Sequence, residues 1–254
     1  MNDWSQERDR IVTWLQRMVQ NANAKGLVFG LSGGIDSSVV GVLTKIAFPE
    51  NALGLILPCH SLPQDQQDAV LVAEKFAIPY RIFSLDGIYD RFLNLFDERY
   101  SKPLPLPLAN IIPRIRMTVL YYFAQKENFL VCGATNKSEL TVGYFTKYGD
   151  GGVDLMPLAH LTKTEIRQLA KFLDIPISII EKAPSAGLWE DQTDEKEMGI
   201  RYIDLDQFIQ NGSGNPEDIA KIQKMIELTE HKRQLPPRLE RGTPLFLKEN
   251  IHGA

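Results

Sequence analysis

Cysteine is scarce in this sequence: Cys59 and Cys132 are the only two in 254 residues. They form no C-x-x-C pair, which argues against a zinc site, an iron–sulfur cluster or a thiol-based sulfur transferase. Both stand at the ends of strand-like runs and read as small buried residues of a reducing cytoplasm. Long apolar runs are missing too. Stretches such as Ala52 to Pro58 fall far short of the about 20 residues of a membrane span, so no membrane association is expected. Residues Met1 to Arg10 are charged and helical in pattern, unlike a signal peptide. Positive charge is not in excess: a net charge of −4 argues against a general nucleic-acid binder. A polyanionic ligand must then be held by local basic groups. No G-x-x-x-x-G-K-[ST] phosphate loop, internal repeat or low-complexity tract occurs. His60, His160 and His252 show no metal-ligand spacing.

What is present is an ordinary globular composition, 44% hydrophobic and 24% charged, in a chain long enough for a substantial core. Residues 3–24 read as an amphipathic helix, with Ile11, Trp14, Leu15 and Met18 at helical spacing. An alternation follows. Strand-like runs lie near 26–31, 52–57, 79–84 and 129–133, and helix-like runs near 37–47, 65–77, 86–97 and 110–127. Strands apolar on both faces and separated by helices predict an α/β fold, a doubly wound parallel sheet with helices on both faces. Thr162-x-x-Glu165 is a capping box for a helix running to about Leu173. Asn215-Pro-Glu-Asp218 starts another, running to about Lys232. Segments 101–107 and 184–194 read as loops.

The most informative segment is Ser32-Gly-Gly-Ile-Asp-Ser-Ser38, between the first strand-like run and the helix that follows it. A strand turning through glycines into a helix builds an anion site, because the backbone can approach the ligand and the first helical N–H groups point at it. The hydroxyls of Ser32, Ser37 and Ser38 add donors. Asp36 would repel a phosphate unless a cation lies between them, which implies a divalent metal such as magnesium. A serine/glycine turn capping a helix, with Asp36 as a first-turn acid, is the plainer alternative. The string resembles the pyrophosphate-binding loop of the N-type ATP pyrophosphatases (the PP-loop superfamily), which split ATP between its α- and β-phosphates. Their fold is adenine nucleotide alpha hydrolase-like.

A second block, Gly133-Ala-Thr-Asn-Lys-Ser-Glu139 and Gly143-Tyr-Phe-Thr-Lys-Tyr-Gly-Asp-Gly-Gly-Val-Asp154, also follows a strand. Glu139 is thereby placed near the ligand edge of the sheet, where it could complete a metal site with Asp36, or else simply start a helix. Together with Asp154-Leu-Met-Pro157, Lys163-Thr164, Lys182-Ala-Pro-Ser-Ala186, Thr193-Asp-Glu195 and Thr229-Glu-His-Lys-Arg233, these blocks resemble ammonia-dependent NAD synthetase across nearly the whole chain.

That resemblance implies roles. Gly30, Leu31, Ser32, Gly33, Gly34, Ile35, Asp36 and Ser37 would hold the ATP phosphates, with Asp36 and Glu139 as magnesium ligands. Lys163 and Ser185 would contact ATP. Asp36, Glu139 and Lys163 together would be the catalytic set. Arg114, Lys147, Asp154, His231 and Lys232 match contacts to the deamido dinucleotide. The chain departs from the family at Ala134, often threonine there; Thr135 stands one place later, and its ATP contact is left open. The implied reaction is ATP-dependent amidation of nicotinic acid adenine dinucleotide (deamido-NAD) by ammonia through an adenylated intermediate. Residues 1–254 would form a single synthetase domain with no glutaminase domain, in a cytoplasmic homodimer. Two other readings remain open, a different ATP pyrophosphatase and a nucleotide-sensing module of the same fold. Taken without the family, Arg114 reads equally as a solvated surface charge. His231-Lys-Arg233 likewise reads as a basic helix end favoured by the dipole. A lysine in the first turn of a helix, as Lys163 is predicted to be, is mildly disfavoured by that dipole, which hints at a bound anion beside it.

Overall fold

The computed structural model describes residues 3–101, 103–184 and 193–238. Helix α1 (Trp4–Asn21) leads into β1 (Gly26–Gly30), α2 (Ile35–Ala47), β2 (Ala52–Ile56), α3 (Pro63–Lys75), β3 (Tyr80–Ile82) and α4 (Asp86–Leu95). A short α5 (Leu106–Ala109) precedes the long α6 (Ile111–Glu127), which feeds β4 (Phe129–Val131) and α7 (Lys137–Val142). The remainder is helical: α8 (Lys163–Phe172), α9 (Ile177–Ile180), α10 (Asp194–Met198), α11 (Tyr202–Asn211), α12 (Pro216–Leu228) and α13 (Glu230–Arg233).

The four strands form one parallel sheet in the order β3-β2-β1-β4. Alternate side chains divide the core. Leu27, Phe29, Ala52 and Ile56 pack with α1, α2, α3 and α8 on one face. Val28, Leu53, Leu55 and Val131 pack with α4, α5 and α6 on the other. Both faces of the sheet are covered, as expected for strands apolar throughout. From β1 the chain steps outward to β2 and β3, then returns to the opposite side of β1 for β4. The carboxyl ends of β1 and β4 therefore flank the topological switch point, where the loops diverge and leave a crevice.

The strands end one or two residues earlier than the apolar runs, although Leu31 N–H still donates to Leu55 O and Cys132 N–H to Val28 O. The last predicted helix is broken at Thr229 into α12 and α13. There Thr229 Oγ1 lies 2.7 Å from Met225 O and 3.1 Å from Val142 O, and its side chain fills the space beside Gly143. Of the loop predicted at 101–107, the last residues enter α5. A third apolar cluster, built from Val142, Met198, Ile200, Tyr202, Leu205 and Ile222, seats α10, α11 and α12 against α7. Helix α11 has no counterpart among the helices predicted from sequence, and it borders the site.

Candidate active site

The loop after β1 is folded tightly on itself. Gly33 has φ +80°, and a Cβ there would meet Asp65 O at 2.2 Å, so the loop lies directly on the first turn of α3 and only glycine fits. Ser37 and Ser38 are buried, and their hydroxyls donate to Gly34 O at 3.0 and 2.8 Å. Those two hydroxyls shape the turn, whereas Ser32 is exposed and sits 3.0 Å from Ser37 Oγ. Gly34 is the N-cap of α2 and provides no side-chain cap. Leu31 and Ile35 are core residues, so their backbone groups are what they can offer a ligand. Gly30 closes β1 beneath the loop.

Asp36, in the first turn of α2, points across the crevice to the segment after β4. There Asn136 and Glu139 form a capping box at the start of α7: Glu139 N–H donates to Asn136 Oδ1, and Asn136 N–H to Glu139 Oε2. The helix-start and ligand readings of Glu139 are thus compatible, because capping uses Oε2 and leaves Oε1 facing Asp36's side of the crevice. The fully buried Asn136 also donates from Nδ2 to Asp36 Oδ1 at 3.1 Å.

Lys163, the first residue of α8, completes the group. Its Nζ lies 2.5 Å from Asp36 Oδ2 and 3.3 Å from Glu139 Oε1, with only 3% of its side chain exposed. Two carboxylates converging on one cation explain why a lysine is tolerated at a helix N-terminus. Burial works to lower the Lys163 ammonium, and Asp36 and Glu139 outweigh it, so the net shift is upward. Burial raises the Glu139 carboxyl to about 7; Lys163 opposes that and Asp36 adds to it. The hard oxygen pair fits a divalent cation such as magnesium. Among the described residues, no group of three or more His, Cys, Asp or Glu could hold a metal, so a magnesium ion here would need oxygens from its ligand as well.

Three residues without a predicted role border this group. Tyr202 of α11 has its ring 4.9 Å from Lys163 Nζ and its hydroxyl 3.3 Å from Glu139 Oε1 and 3.0 Å from Asp194 Oδ2. Asp194, raised by burial, also accepts from Tyr144 OH at 3.2 Å. Asp194 and Tyr144 belong to quoted sequence blocks, but nothing in the sequence marks Tyr202.

The residues matched to dinucleotide contacts lie mostly around the far end of α7. Arg114 donates to Asn110 O and Lys147 O, both at 3.3 Å. Lys147 Nζ reaches His231 O at 2.5 Å, and Lys232 Nζ donates to Gly143 O and Phe145 O at 2.8 Å. Burial lowers the Lys232 ammonium, against the pull of Asp150. Asp154 stands apart, accepting from Tyr121 OH and from Val131 N–H at the end of β4. Thr135 is buried just before the capping box. Ser185 lies outside the described residues. Lys182, shortly before it, is bound to Asp65 and Asp68 of α3 at 2.7 and 2.6 Å.

Residues 7–236 match the family model described as NAD synthase. The chain is 47% identical over 235 residues to an NH(3)-dependent NAD(+) synthetase of Carboxydothermus hydrogenoformans, covering 92% of this chain and 97% of that protein. Among solved structures, it resembles an NMN synthetase from Francisella tularensis with TM-score 0.88 and 36% identity, over 96% of this chain and 100% of that one. An NH3-dependent NAD synthetase from Campylobacter jejuni in complex with nitrate matches with TM-score 0.78 and 32% identity, over 94% and 100%.

Proposed function

Because the chain belongs to the NAD synthase family, we propose that it catalyses the ATP-dependent amidation of nicotinic acid adenine dinucleotide by ammonia. The products are NAD, AMP and pyrophosphate. The observation that carries this reading is the convergence of Asp36 and Glu139 on Lys163 beside the loop after β1.

A carboxylate has no good leaving group, so it must be activated before ammonia can displace anything. One oxygen of the nicotinate carboxylate attacks the α-phosphorus of ATP, and the bond from that phosphorus to the bridging oxygen of pyrophosphate breaks. Ammonia then attacks the acyl carbon, AMP departs with the bonding electrons, and the nitrogen loses a proton. Both substrates are polyanions, and a single helix dipole contributes only about 0.3–1 kcal/mol at an exposed site. The backbone of Gly30 to Ser37, the N-terminus of α2 and the Lys163 ammonium therefore act together on the phosphates. Asp36 and Glu139 would hold magnesium, which would supply charge neutralisation for the departing pyrophosphate. Holding the two substrates in line contributes roughly 7–11 kcal/mol more.

Thr135 and Ser185 are assigned to ATP, and Arg114, Lys147, Asp154, His231 and Lys232 to the dinucleotide. The clustering of Arg114, Lys147 and Lys232 around one end of α7 supports a second anion site there. We read residues 1–254 as one synthetase domain using free ammonia in the cytoplasm, which suits its two free buried cysteines. A homodimer is inferred from the family resemblance; the exposed Ile88, Phe92 and Leu95 of α4, with Phe96 just past its end, offer an apolar face for it.

The Francisella tularensis match favours a second reading, in which the acid amidated is the mononucleotide. Incubation with ATP, magnesium, ammonium and deamido-NAD tests the first: NAD, AMP and pyrophosphate should appear in equal amounts, and formation of ADP or no turnover contradicts it. A higher kcat/KM for nicotinic acid mononucleotide would establish the second.

A further inference from the structure

We propose that Asp206 is a positioning residue of this site, the carboxylate through which α11 fixes Lys163 relative to Glu139. The inference rests on the reading of Lys163 as an ATP-binding group.

Asp206 is buried at 2% exposure, and among the described residues its side chain meets three neutral donors and no cation. Oδ1 accepts from Ser138 Oγ at 2.5 Å. Oδ2 accepts from Thr164 N–H at 2.8 Å and Thr164 Oγ1 at 2.6 Å. Ser138 immediately precedes Glu139, and Thr164 immediately follows Lys163. Ser138 Oγ also accepts the Lys163 backbone N–H at 3.0 Å. The N–H groups of the first two residues of α8 are thus held from outside that helix.

Capping of α8 alone does not call for a buried carboxylate, since the Lys163 and Thr164 N–H groups that its capping box leaves over could be met by neutral acceptors. Thr162 and Glu165 already form a complete capping box at the same helix start. Burying a further carboxylate is costly unless its oxygens are well bonded. What it adds is a tie between two elements, since one carboxylate grips the helix carrying Glu139 and the helix carrying Lys163. Tyr202 stands one turn earlier on the same face of α11 and touches the ends of those same two side chains. One helical face therefore braces the pair at backbone and tip. Catalytic groups displaced by about 1 Å lose about 100-fold in rate, so such a brace has kinetic consequences.

The test is a double-mutant cycle read by calorimetric binding of α,β-methylene ATP with magnesium, which needs no turnover. Asp206→Asn replaces one acceptor oxygen with an amide that cannot accept from Ser138 or Thr164. It should weaken binding about tenfold in the wild-type background and less than twofold when Lys163 is already alanine. Unchanged binding in Asp206→Asn, or the same loss in both backgrounds, overturns the proposal; the latter marks a merely structural role. Should Asp206→Asn fail to fold, Thr164→Val removes a single donor and should show a smaller loss that likewise vanishes without Lys163; its persistence there overturns the proposal. Wild-type protein that neither binds the analogue nor forms AMP would instead contradict the underlying functional reading.

Discussion

Lys163 Nζ lies 2.5 Å from Asp36 Oδ2, although 127 residues separate the two in the chain. Together with Glu139, the pair makes a small acidic site in which one cation faces two carboxylates. Such a site has capacity for added positive charge, and it lies where the sheet's topology opens a crevice.

Asp36→Asn should leave a folded protein with at least about a 100-fold loss of kcat. Lys163 keeps Glu139 as a partner in that variant, and the amide oxygen can still accept from Asn136. Circular dichroism and steady-state AMP release check the two halves. Activity retained at ordinary magnesium would remove the metal role.

Lys163→Met should destabilise the protein by about 3–5 kcal/mol, because it strands two partly buried acids without their cation. Urea unfolding at neutral pH measures this. Adding Glu139→Gln should recover part of the loss, whereas a single variant within about 1 kcal/mol of wild type would contradict the pairing.

Arg114→Ala should behave differently. Arg114 is exposed and, among the described residues, bonds only to backbone carbonyls at 3.3 Å, so stability should change by less than about 0.5 kcal/mol. Loss of a charged contact to the dinucleotide should raise its KM about 10- to 100-fold, with the KM for ATP unchanged. Equal KM values for the dinucleotide in variant and wild type would exclude that contact.

Gly33→Ala should lower stability by at least about 1–3 kcal/mol and abolish turnover. The residue is held at φ +80°, with Asp65 O where the methyl must go. Thermal unfolding and the product assay check it together; a stable, active variant would contradict the tight loop.

The sheet and its flanking helices were legible because strands buried on both faces leave unbroken apolar runs between helical periods. Asp36 and Glu139 stood out as candidates because each lies in the first turn of the helix that follows a strand, at the edge where a parallel sheet gathers its ligands. Helix α11 was not. Tyr202-Ile-Asp-Leu-Asp206 reads as an ordinary mixture of polar and apolar residues, and burial of its tyrosine and aspartate arises from partners 63 and 68 residues away. The part played by Ser37 and Ser38 was hidden for a similar reason. A hydroxyl in a serine/glycine loop does not announce that it donates to the turn's own carbonyl.

Oxygen transfer from substrate to product is the most direct measurement of the chemistry assigned to the Asp36–Glu139–Lys163 site. Deamido-NAD carrying 18O in its nicotinate carboxylate should pass one labelled oxygen to each AMP and none to pyrophosphate, because the carboxylate itself attacks the α-phosphorus. Unlabelled AMP, or label appearing in pyrophosphate or free phosphate, would contradict adenylation.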